Sequence, residues 1–170
     1  MSRHHRLLVP GGTYYLTACL ADPSSQLLTE RIGLLRDVVR LTQRQLPFEI
    51  DCAVILPSEL HMIWLLPEGD TDLVSRWRML KSTFARHVPE TLFEAASRRR
   101  HLKREIWHRK FWDHLIQDQA DLEAHRTQAL TAPVRAGLVT EVRAWPFSSI
   151  HHRPAEHLPV RQTTAPQRVA

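Results

Sequence analysis

The sequence predicts an α+β domain: a ferredoxin-like split β-α-β antiparallel sheet with helices on one face and an added C-terminal helix. Three observations predict it. Short runs rich in β-formers alternate apolar and polar residues, longer runs repeat apolar residues every three to four positions, and Pro or Gly punctuates the boundaries. Taken in order the runs read β-α-β-β-α-β-α, and the first six match the split β-α-β pattern.

Each element has its own signal. After Pro10-Gly11-Gly12, the run Thr13 to Leu20 is rich in β-formers and reads as a strand that Asp22-Pro23-Ser24-Ser25 breaks. From about Thr29 to Gln45, Ile32, Leu35, Val38, Val39 and Leu46 fall at helical spacing while Arg36, Arg40 and Arg44 line another face. Pro47 ends that helix. Phe48, Ile50, Cys52, Val54 and Leu56 alternate as a half-buried strand, and His61 to Leu66 reads as its antiparallel neighbour across Pro57-Ser58. Leu73, Trp77, Leu80, Phe84 and Val88 mark a second amphipathic helix. Phe111 to Ile116 forms the fourth strand. Asp118 then caps a third helix through Leu122, His125 and Ala129 that Pro133 should stop. Trp145-Pro146-Phe147 is expected to pack back onto the core. The tail from 151 to 170 is proline-spaced and poor in apolar residues, so it should be loose, leaving one domain over 8–150.

Composition narrows the function. At 170 residues, 43% hydrophobic and 24% charged, the chain can bury a core, and wholesale disorder is excluded. Five glycines leave no room for a glycine-rich phosphate loop. Cys19 and Cys52 sit in apolar runs, at a spacing that suits neither a disulfide framework nor zinc, which points to a reducing cytoplasm. No apolar run approaches the ~20 residues of a membrane span, so no membrane partner is expected.

Charge is the more specific signal. A formal net charge of +5 and a pI near 9.9 fit a nucleic-acid binder. Between Arg98 and Lys110 lie Arg98, Arg99, Arg100, Lys103, Arg104, Arg109 and Lys110, opposed only by Glu105 and interleaved with Trp107, with Phe111 and Trp112 just beyond. Cations neutralise phosphates and aromatic faces stack on bases, a mixture suited to single strands or hairpins. Arg76, Arg78, Lys81, Arg104, Arg109 and Lys110 are the expected phosphate partners, with Trp107 and Trp112 as stacking residues unless they pack in the core.

The remaining chemistry lies in Leu56-Pro57-Ser58-Glu59-Leu60-His61-Met62-Ile63-Trp64. Side chains two apart on a strand share a face, so Glu59 and His61 can jointly hold a divalent cation, and the oxygen ligand favours Mg²⁺ or Mn²⁺. Spacing alone favours the plainer reading, two surface residues at a strand start.

A wider pattern surrounds that stretch. It comprises Pro10 to Tyr15, Pro47 to Ile50, Leu66 to Asp70, Arg76-Trp77-Arg78 with Lys81-Ser82, Ile106 to Trp112, Pro133-Val134 with Gly137-Leu138-Val139, and Trp145 to Ser149. In this order, over roughly residues 8 to 150, the chain resembles the single-tyrosine HUH transposases and, within them, the REP-associated tyrosine transposases. The resemblance implies a ferredoxin-like domain that binds imperfect DNA hairpins and cleaves a nearby single strand. A metal held by a His-hydrophobic-His pair polarises the phosphate, and a tyrosine on the last helix attacks it.

Matched residue by residue, this chain departs from the family at both groups. Glu59 stands where the family has its first histidine and only His61 keeps its identity, which weakens the implied Mg²⁺ or Mn²⁺ site without abolishing it. Gln128 and Thr131 occupy the two tyrosine positions of the last helix. The chain's tyrosines are Tyr14 and Tyr15, both on the first strand, where a packing role is expected. Three functions follow: a transposase-like DNA binder, monomeric or homodimeric, without tyrosine-mediated cleavage and strand transfer; a metal-dependent single-strand nuclease acting through Glu59 and His61; or an interaction protein that does not touch DNA.

Overall fold

The protein's structure, a computed structural model, describes residues 9–88 and 106–152. Four strands form one antiparallel sheet, β1 (Thr13–Leu20), β2 (Glu49–Ile55), β3 (Glu59–Leu65) and β4 (Trp107–Leu115), in the order β2-β3-β1-β4. The helices are α1 (Leu27–Glu30), α2 (Ile32–Gln45), α3 (Leu73–His87) and α4 (Gln119–Arg135). This is the predicted α+β sheet, with β1 and β3 central.

Strand alternation sorts the side chains onto two faces. Tyr14, Leu16 and Ala18 of β1 and Leu60, Met62 and Trp64 of β3 meet Leu35 and Val38 of α2 and Trp77, Leu80 and Phe84 of α3 in the larger core. Aromatic edges tie this layer together, with Trp64 5.4 Å from Trp77 and 4.2 Å from Phe48. The opposite face carries Tyr15, Cys52, Val54 and Ile63, and α4 covers part of it through Leu122, Ala129 and Ala132. The added helix thus lies across the sheet from α2 and α3.

Tight turns feed the strands. Gly11 has φ 66°, and at Gly12 a Cβ would approach the Tyr14 ring to 2.9 Å, so both positions of this turn require glycine. At the other end, Trp145 donates its indole N–H to the Ile55 carbonyl at 2.9 Å, and Ser148 bridges Val54. The expected return of Trp145-Pro146-Phe147 therefore caps the β2 edge, satisfying backbone groups that an open edge strand would leave free.

Several boundaries differ from expectation. The helix expected from Thr29 to Gln45 is two helices broken at Arg31. β3 starts two residues early, at Glu59, because Leu60 and Glu59 already pair with Ala18 and Cys19. β4 starts at Trp107, not Phe111: Trp107 is buried and pairs with Leu20, so part of the expected basic loop is strand. Pro133 does not stop α4, which continues to Arg135 with Pro133 buried inside its last turns. His151, placed in the loose tail, accepts a place in a short 3-10 turn and bonds the Trp145 carbonyl at 2.8 Å. The expected tail from residue 153 on, and Arg98 to Glu105, lie outside the described residues.

Two buried arginines lock the layers. Arg126 of α4 is 1% exposed and forks onto the Asp51 carboxylate of β2, with Nε 2.6 Å from Oδ2, while Glu123 takes its other nitrogen. Arg76, also 1% exposed, bonds the Pro47 carbonyl at 2.7 Å, the Asp72 carbonyl at 2.7 Å and both Asp70 oxygens at 2.6 and 3.1 Å. A fork this fully engaged has no donor to give to a phosphate. The expectation that Arg76 contacts DNA is corrected: it staples the start of α3 to the chain entering β2.

Candidate functional site

The sheet face that carries α4 is only partly covered, and the candidate chemistry collects there. The β-ladders set Thr17 opposite His61 on one side and opposite Trp112 on the other, making a row across β3, β1 and β4. The next row is Ile63, Tyr15 and His114. Glu59, two residues before His61, shares this face, as its spacing predicts.

Within this array His61 is buried and contacted from three directions. Its Nδ1 lies 2.7 Å from the Tyr15 hydroxyl and 3.5 Å from Thr17 Oγ1, and its Nε2 lies 3.3 Å from Glu59 Oε1. Burial, assisted by the positive charge of Arg135, holds the imidazole down to about 4, so it is neutral at neutral pH. Burial pushes the Glu59 carboxyl up, and Arg135 offsets part of that rise. Burial likewise raises the Tyr15 phenol. A neutral imidazole and a carboxylate 3.3 Å apart suit two ligands of one cation.

Helix α4 forms the second wall. His125 tilts against the Tyr15 ring at 4.9 Å and stacks on His114 at 4.3 Å. Asp121 sits between those histidines, 2.9 Å from His114 Nε2 and 2.9 Å from His125 Nδ1. Burial works against this carboxylate's charge, but the Gln117 backbone N–H and His114 outweigh it and hold Asp121 below its ordinary value. Gln128 is exposed on the helical stripe between His125 and Arg135, the place the resemblance gives to a nucleophile. Thr131 donates its hydroxyl to the Thr127 carbonyl at 2.7 Å and accepts from Arg135 at 2.6 Å.

The expected DNA contacts divide. Trp112 is 55% exposed, stands in the His61–Thr17 row and stacks on His108 with centroids 6.0 Å apart and planes 9° apart. Trp107 is buried against Phe84, its indole N–H on the Lys81 carbonyl at 3.1 Å, so its stacking role is corrected to core packing. Arg109 is exposed on β4. Lys81 reaches from α3 to the His108 carbonyl at 2.9 Å and so borders β4, whereas Arg78 is exposed on the α3 side of the sheet, away from Glu59 and His61. Arg104 lies outside the described residues, as does the side chain of Lys110. Sequence reasoning missed Tyr15, His114, Asp121, His125 and Arg135. Only the matching parity of Tyr15 and Thr17 with His61 on antiparallel strands could have signalled part of this set.

Fold and site together define a class: a ferredoxin-like α+β domain whose open sheet face presents histidine, carboxylate and exposed indole beneath a final helix. The chain belongs to the REP-associated tyrosine transposases. It is 37% identical over 158 residues to the REP-associated tyrosine transposase of Escherichia coli, covering 93% of this chain and 88% of that protein. A Haemophilus influenzae relative named for the same family is 36% identical over 152 residues, 89% of this chain and 86% of its own. A solved REP-associated tyrosine transposase bound to a REP hairpin superposes with TM-score 0.77 at 36% identity, over 100% of this chain and 99% of that one. A Deinococcus radiodurans structure at 14% identity and TM-score 0.51 over 75% of this chain shares the fold alone. No protein-family model matches the chain.

Proposed function

We propose that this chain binds hairpin or single-stranded DNA of the REP type on its open sheet face, without tyrosine-mediated cleavage or strand transfer. The observation that carries the reading is the row His61–Thr17–Trp112 beneath an α4 stripe, His125–Gln128–Arg135, that offers no phenol. An exposed indole stacked on an imidazole offers an unpaired base a flat partner, Arg135 offers the backbone a cation on this face, and Arg109 and Lys81 offer cations at the β4 edge from its α3 side. The hairpin held by the structural relative supports the same class of ligand here. Arg104 and Lys110 remain phosphate partners in this reading, whereas Arg78, on the α3 side of the sheet, would be reached only by DNA that continues around the β4 edge.

The chemistry around Gln128 supports the loss of cleavage. An amide is no nucleophile, and the Thr131 hydroxyl is an alkyl alcohol already held between Thr127 and Arg135. Tyr15 is the one phenol on this face, but it is 6% exposed, bonded to His61 and raised by burial, the reverse of an activated nucleophile. Glu59 and His61 would hold the divalent cation, Mg²⁺ or Mn²⁺, which when bound polarises a phosphate. A DNA-binding role also fits the cytoplasm, where the free thiols of Cys19 and Cys52 stay reduced; the protein would act as a monomer or homodimer.

The test is incubation of the full chain with a REP-like hairpin oligonucleotide and Mg²⁺, scored for retention, nicking and covalent adduct across a salt series. Expected are salt-sensitive retention favouring the hairpin over a scrambled strand and no denaturant-resistant adduct. Equal, negligible affinity for both strands would remove DNA binding, and an adduct mapped to Tyr14 or Tyr15 would restore covalent chemistry. The 3.3 Å Glu59–His61 pair favours one second reading, nicking by metal-activated water. Nicking abolished by Glu59→Ala would establish it.

A further inference from the structure

We propose that His114, Asp121 and His125 form a binding site for one divalent transition-metal ion of the zinc class, separate from the Glu59–His61 pair. The three come from two elements, His114 from the end of β4 and Asp121 and His125 from consecutive turns of α4. One ligand atom from each lies within 4.8 Å of the others. The carboxylate already spans the two rings, with His114 Nε2 2.9 Å from Oδ2 and His125 Nδ1 2.9 Å from Oδ1 and equally 2.9 Å from the Asp121 main-chain carbonyl, a contact the ring gives up on binding an ion.

Those separations are what a shared ion needs. With metal–nitrogen bonds of about 2.0–2.1 Å and metal–oxygen bonds of about 2.0–2.2 Å, two ligands on one ion stand about 3.0–3.4 Å apart. Both nitrogen–oxygen pairs are near that spacing, and rotation of the exposed His114 ring draws the nitrogens together. The Gln117 backbone N–H, 2.9 Å from Asp121 Oδ2, orients the carboxylate from outside the cluster. Two imidazoles and one carboxylate select Zn²⁺, Co²⁺ or Ni²⁺ over Mg²⁺, which prefers oxygen donors. Three protein ligands leave a coordination position open on the side of half-exposed His114. The ring of Tyr15 separates the two sites, touching His125 while its hydroxyl bonds His61. An ion here would clamp the end of β4 to the first turns of α4 and steady the wall that faces His61.

The inference does not depend on DNA binding and is tested without it. The full chain, stripped of metal with a chelator, is titrated with Co²⁺ and with Zn²⁺ and followed by the visible absorption of Co²⁺ and by calorimetry. Expected is one tight equivalent, distinct from any weaker uptake at Glu59–His61, whose affinity falls tenfold or more in His125→Ala and in Asp121→Asn and is unchanged in Glu59→Ala. His114→Gln, at a half-exposed position, should show the same loss with an unchanged melting temperature, which separates ligand loss from misfolding. Absence of Co²⁺ uptake, uptake indifferent to His114→Gln, or uptake abolished by Glu59→Ala would overturn the proposal.

Discussion

His61 shows how a single side chain's surroundings set its chemistry. Buried beneath Tyr15, it stays neutral until well below its ordinary value, down to about 4, while in the unfolded chain it protonates near 6.5. Between those values the unfolded state binds the extra proton, so stability is complete above pH 6.5 and falls as pH drops toward 4. The shift is worth at most about 3 kcal/mol. In chelator-treated buffer, urea midpoints should fall between pH 7 and pH 4.5 by more in the native chain than in His61→Gln, a difference attributable to this ring. Tyr15→Phe removes the hydroxyl on Nδ1 and leaves a buried ring nitrogen with only the 3.5 Å Thr17 contact. It should cost about 1–2 kcal/mol in urea unfolding while leaving hairpin retention unchanged.

At the level of elements, two arginines that look alike in the sequence do opposite things. Arg76 and Arg78 sit two apart on α3, yet a helix turns about 100° per residue, so one faces the sheet and the other solvent. Arg76→Ala leaves Asp70 without its fork and the Pro47 and Asp72 carbonyls without donors. A loss of about 3 kcal/mol in chemical denaturation is expected, against no measurable change for Arg78→Ala. The Arg76 hydrogen bond holds the Asp70 carboxyl below its ordinary range. Its contribution is therefore present above the ordinary carboxylate pKa and disappears only as pH falls through the lowered value. β4 shows the same division along one strand: Trp107 fills the core while Trp112, five residues on, stands in solvent. Trp112→Ala should weaken hairpin or single-strand binding by about 1–3 kcal/mol with little change in melting temperature, whereas Trp107→Ala should lower the melting temperature first.

Across the whole molecule, the sheet works as a partition. One face is sealed by α2 and α3 around an aromatic core, and the other is left half open under α4, which packs a smaller core of its own. If DNA lies on the open face, neutralising Arg135 should weaken retention uniformly across sequences and lower the salt slope by about one, read from binding at several salt concentrations. Much of this architecture was legible in the residues. Element order, the two amphipathic helices, the return of Trp145-Pro146-Phe147 and the shared face of Glu59 and His61 all follow from local periodicity. The short ordered motifs by themselves point to the family.

What the sequence determined by itself was pattern: which runs become strands or helices, that Glu59 and His61 point the same way, and that the last helix, Gln119–Arg135, contains no tyrosine. Periodicity fixes such things because it depends only on neighbours along the chain. The tertiary structure alone decided which arginine is buried, which tryptophan is exposed, and that Tyr15, His61, His114 and His125 meet. Those outcomes depend on strand register and on the packing of α4 across β2 and β3, which join residues 46 positions apart in the Tyr15–His61 contact and 75 in Asp51–Arg126. No local signal records a distance of that kind.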